Sequence, residues 1–100
     1  MKFVQIIGFE TERLEEMEQQ LQEFAQRNAG KAGGPTHRML LKDRDNPRRY
    51  LAVLEFESYD DAMRNSEDPE TAKLAEQLGA LSIGERTYTN CDVLDMRELK

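Results

Sequence analysis

Residues 48–63 read RRYLAVLEFESYDDAM, and this run decides the fold. In an extended chain Tyr50, Ala52, Leu54 and Phe56 share one face, and Leu51, Val53 and Glu55 share the other. Both faces are apolar except at Glu55, so a strand here has to be covered on both sides. Ser58 follows immediately, and Asp61 stands three residues later. That is the spacing of a capping box with Asp in the Glu position. The strand therefore feeds directly into a helix whose apolar side includes Ala62 and Met63.

On the N-terminal side, Asp43–Pro47 is a polar turn, and Thr36–Lys42 is a second strand that pairs antiparallel with residues 48–57 as a hairpin. Further back, Phe3–Phe9 is rich in aromatic and β-branched residues and reads as the opening strand, with only Gln5 polar. Thr11 is placed to cap a helix beginning at Glu12. Leu14, Met17, Leu21 and Phe24 give that helix one apolar stripe, and Gly30 stops it beyond Asn28. On the C-terminal side, Asn65–Pro69 breaks the second helix. Asp68 and Pro69 restart it as a piece running to about Leu78, with Gly79 ending it. Leu81–Gly84 reads as a loop, Arg86–Leu94 as the last strand, and Asp95–Lys100 as a charged tail.

The order β, α, β, β, α, β predicts a single α+β domain over residues 1–100. It is ferredoxin-like, with a four-stranded antiparallel sheet and both helical segments on one face. The other sheet face would then be bare and apolar, which soluble monomers rarely tolerate. Two copies packed through that face form a homodimer.

Composition excludes several functions. The net charge is −6, the wrong sign for neutralising phosphates, so no nucleic-acid partner is expected. The short apolar N-terminus is followed by Glu10 and Glu12 and fits neither a leader nor a membrane span. The single cysteine, Cys91, allows no intrachain disulfide and points to a reducing, cytoplasmic setting. There is no metal-ligand cluster and no phosphate-binding glycine loop; Gly33-Gly34-Pro35 is a connection.

The opening strand, Tyr50–Tyr59 leading into Ala62–Ser66, the restart at Pro69-Glu70-Thr71, and Asn90–Leu94 together resemble the dimeric α+β barrel superfamily. In particular they resemble its small bacterial proteins of the antibiotic-biosynthesis-monooxygenase (ABM) type. The resemblance spans nearly the whole chain. It implies a homodimer whose sheets enclose a barrel-like cavity that takes a small hydrophobic or aromatic ligand. The activity implied is a cofactor-independent monooxygenase acting on phenolic or polyketide-like compounds. The alternative is a non-catalytic binding or structural dimer. Haem-degrading relatives carry their ligand histidine on the helix after the third strand. Here that segment is Met63-Arg64-Asn65-Ser66, and the Trp those enzymes use is also missing, so haem chemistry is the weakest of the three readings.

Glu55 and His37 are the candidate acid–base residues. A carboxylate on an apolar strand face must be paired or sit in a polar cavity, where burial would suit it to take a phenolic proton. The structural alternative for Glu55 is an ion pair across the hairpin, with Arg38 as partner. For lone His37 it is a residue at the barrel rim. Gln5, Arg38, Tyr50, Asn65, Tyr88 and Asn90 are candidate substrate contacts, with Asn65 also able to cap the broken helix. Because both strand faces are apolar, the pattern leaves open which face lines the cavity.

Overall fold

A computed structural model describes all residues 1–100. Its elements are β1 (Phe3–Glu10), α1 (Leu14–Arg27), β2 (His37–Lys42), β3 (Arg49–Phe56), α2 (Tyr59–Glu67), α3 (Pro69–Ala80) and β4 (Ile83–Asp92). The four strands form one antiparallel sheet in the order β2-β3-β1-β4. This is the expected ferredoxin-like α+β arrangement, with the second helical segment divided in two. No helix is long and apolar enough to cross a membrane.

The break between α2 and α3 forms as its sequence dictates. The Ser58 hydroxyl accepts a hydrogen bond from the Asp61 N–H at 3.1 Å, and the Asp68 carboxylate accepts one from the Glu70 N–H at 2.9 Å, with Pro69 opening α3. Each cap satisfies an N–H that the first helical turn leaves without a partner.

Several boundaries differ from expectation, among them the end of α3, which runs through Gly79 to Ala80. Helix α1 starts at Leu14, and Arg13 rather than Thr11 occupies the cap position without a capping side-chain bond. Thr11 is buried instead. Its hydroxyl donates to the Leu81 carbonyl at 2.7 Å and accepts from the Arg13 N–H at 2.9 Å, so it joins the chain before α1 to the end of α3. Strand β4 begins at Ile83, inside the stretch read as a loop, and ends at Asp92. The β1–β4 register shifts between Gly8 and Glu10, and Gly84 takes a positive φ of 70° there, a conformation open to glycine.

The sheet face toward the helices carries Phe3, Gln5, Ile7 and Phe9, paired in register with Phe56, Leu54, Ala52 and Tyr50. Large aromatic residues stand at both ends of these two strands, and smaller or polar residues stand between them. The core divides accordingly. Phe3, Phe56 and Ala62 form one buried cluster, and Phe9, Met17 and Tyr50 form another. The middle rungs, Gln5–Leu54 and Ile7–Ala52, do not fill the space beneath the helices.

The opposite sheet face has no helix over it. It presents Val4, Ile6, Leu51 and Val53 as half-buried residues, and Met39 is 56% exposed.

Candidate functional site

The unfilled middle of the helix-side face is a cavity of about 260 Å³. Ile7, Ala52 and Leu54 form its floor; Leu74, Ala75 and Leu78 of α3 form its roof. Gln5, Arg38, Asn65, Thr71, Arg86 and Tyr88, with Ser66 and Ser82, contribute its polar groups. A second, outer cavity of about 620 Å³ lies beside it, under the loop that joins α1 to β2. The two share Leu21, Arg38, Leu54, Asn65, Thr71 and Leu74, so these residues form a neck between a vestibule and an inner chamber.

Asn65 reaches the neck because α2 ends there. Its backbone carbonyl accepts the Asp68 N–H, and its side-chain oxygen lies 3.5 Å from the Thr71 hydroxyl, leaving its amide NH2 for an occupant. Arg38 reaches the neck from β2, where it is in register with Leu54. Gln5 is steadied by its neighbour on β4, donating from Nε2 to the Asn90 side-chain oxygen at 3.2 Å. Asn90 itself is exposed and does not line the chamber. Tyr50 belongs to the core: its ring stacks on Phe9 at 5.8 Å, and its hydroxyl lies 3.5 Å from the Pro47 carbonyl. Tyr88 lines the chamber, half exposed, with the Arg86 guanidinium 5.9 Å from its ring centre.

Glu55 and His37 are not brought together with this group. Glu55 shares the uncovered face with Leu51 and Val53. It pairs with His37, whose Nδ1 is 2.6 Å from Oε2, and with the Thr36 hydroxyl at 2.8 Å, while Lys2 lies at 3.7 Å. The expected partner, Arg38, projects from the other face, because neighbours along a strand alternate. Hydrogen bonds from Thr36 and then His37 hold the Glu55 carboxyl below the ordinary carboxylate range. Partial desolvation opposes them, and the charges of Lys2 and His37 add to them. His37 lies at the vestibule rim and is largely exposed.

Arg86 and Thr71 were not singled out from sequence. Arg86 stands two residues before Tyr88 on the same strand, so alternation would have placed both on one face. Thr71 had no such signal, since only folding of the α2–α3 break brings it to Asn65.

The sequence matches no protein-family model and no curated protein. Among solved structures the chain has the fold of ABM-type proteins. SnoaB, a cofactor-independent oxygenase from Streptomyces nogalater, superposes with a TM-score of 0.77 at 20% identity, over 95% of each chain. A candidate antibiotic biosynthesis monooxygenase from Caulobacter crescentus gives 0.79 at 11% identity, over 94% of this chain and 91% of that one. Rv0793 from Mycobacterium tuberculosis gives 0.76 at 14% identity, over 98% and 100%. The chain thus has the ABM-like, ferredoxin-type fold, and its structural neighbours include oxygenases.

Proposed function

We propose that this protein binds a small aromatic or polyketide-like phenol in the chamber between sheet and helices and oxygenates it without a cofactor. The observation that carries the reading is the chamber: a mostly apolar space with a few convergent polar groups, opening through a neck. The shared fold with SnoaB supports the reaction class. In such a reaction the substrate supplies the electrons. Oxidation of a ring CH2 to C=O by one O2 releases one water, so no external reductant enters the balance. Gln5, Asn65 and Tyr88 would hold the ring oxygens through hydrogen bonds, and the apolar walls would keep water away from the oxidised carbon.

We also infer that the functional unit is a homodimer joined through the uncovered sheet face, where the Glu55–His37 pair would lie near the second copy.

The test is oxygen uptake with a panel of anthrones, naphthols and quinols and no added cofactor. The expected result is uptake by wild type, a loss of about tenfold or more in kcat/KM for Asn65→Ala, and near-wild-type turnover for Glu55→Gln. Loss of turnover in Glu55→Gln with Asn65→Ala active would move the reaction to the other sheet face. A second reading, a binding protein without catalysis, is favoured by one observation: the chamber wall contains no carboxylate, histidine, cysteine or lysine to act as base or nucleophile. Tight phenol binding without oxygen uptake would support that reading.

A further inference from the structure

We propose that the ligand of this cavity is an anion, an aromatic ring system carrying a carboxylate, and that Arg38 receives the charge. The proposal rests on reading the chamber as a ligand site. It stands on a contrast of charge. The chain as a whole has a net charge of −6, yet the chamber wall contains two arginines and no acid. In the vestibule the one carboxylate, Asp68, is already committed to Lys31 and to capping α3, and Arg64 is committed to Asp61.

The two chamber arginines differ. Arg86 is occupied: its Nη1 donates to the Ala75 carbonyl at 3.0 Å, and its guanidinium faces the Tyr88 ring. Arg38 is in no ion pair and makes no side-chain hydrogen bond, although it stands in the neck common to both cavities. Arg38 is exposed at this neck, so its guanidinium is accessible to an incoming anion, and the concave surroundings focus its field. The planar guanidinium matches a carboxylate in two parallel hydrogen bonds, which a neutral hydroxyl or amide cannot reproduce. The free amide NH2 of Asn65, on the opposite side of the neck, supplies a further donor. A ring entering the apolar chamber would leave its carboxylate at this neck. Neutral aromatics of the same shape would keep the apolar contacts and lose the ionic ones.

The test compares 2-naphthoate with 2-naphthamide, which share a shape and differ in charge, by titration calorimetry at low salt. Wild type should bind the naphthoate about tenfold or more tightly, an advantage of about 1.4 kcal/mol or more, and the preference should shrink as salt rises. Arg38→Gln should reduce naphthoate affinity to that of the amide while leaving naphthamide unchanged. Arg48→Gln, which removes an exposed arginine paired with Glu12 outside the cavity, should change neither. Equal wild-type affinities, or an Arg38→Gln variant that weakens both ligands alike, would overturn the anion proposal and leave the ligand site standing. Failure of both compounds to bind would overturn the site and the proposal with it. Absence of oxygen uptake bears on the reaction class only and leaves this binding result intact.

Discussion

Glu55 is bound by residues from two other segments, Thr36 and His37 at the start of β2 and Lys2 just ahead of β1. Its depressed pKa has a stability consequence with a definite sign. A carboxyl that holds its proton less tightly when folded contributes stability fully above its unfolded value, near 4.5. That contribution is lost as the pH falls through the lower folded-state value. The urea midpoint of wild type should therefore fall more steeply than that of Glu55→Gln between about pH 5 and pH 3. Parallel acid limbs would mean that the Thr36–His37–Lys2 cluster does not stabilise the fold. The strand pattern was enough to mark Glu55 as needing a partner. It named the wrong one, Arg38 in place of His37, since the two are adjacent in sequence and only the choice of sheet face separates them.

At the level of elements, the pairing of β1 with β4 depends on Gly8. A Cβ there would stand 2.5 Å from the Thr87 hydroxyl and 2.8 Å from an Arg49 guanidinium nitrogen. Arg49 can swing aside, but Thr87 is short and fixed to the neighbouring strand. Gly8→Ala should cost about 1–3 kcal/mol by overpacking. The Gly8→Ala/Thr87→Ala pair should lose less than the sum of its single variants, as contacting sites do. Additive losses in chemical denaturation would contradict the contact.

This strand pair is also where sequence reading was least successful. Ser58, Asp68 and Pro69 announce their caps locally, so the α2–α3 break was legible. The start of β4 was not, because Leu81–Gly84 looks like a turn until β1 lies beside it. Thr11 misled for a related reason: its residue type favours a cap, and its actual partner, Leu81, is seventy positions away. The chamber had a partial signature. Aromatic residues at both ends of β1 and β3, with Gln5 and Ala52 between them, leave the middle rungs short of volume.

Across the whole molecule, the two sheet faces have different fates. The helices cover one. The other presents Val4, Ile6, Leu51, Val53 and Met39 with nothing over them, an arrangement that costs about 25 cal/mol per Å2 of apolar surface left in water. Sedimentation equilibrium at micromolar concentration should give twice the 11.6 kDa chain mass. Val53→Lys, which puts a charge in the centre of that face, should shift the population to monomer. A monomeric wild type would show that the face tolerates water.

The space between the two core clusters also bears on how heat should act on the protein. The clusters pack at either end of the sheet, and the side chains of the middle rungs meet few partners across the chamber. A ring that fits there would supply those contacts to the folded chain alone, so the melting temperature should climb with the concentration of a true ligand.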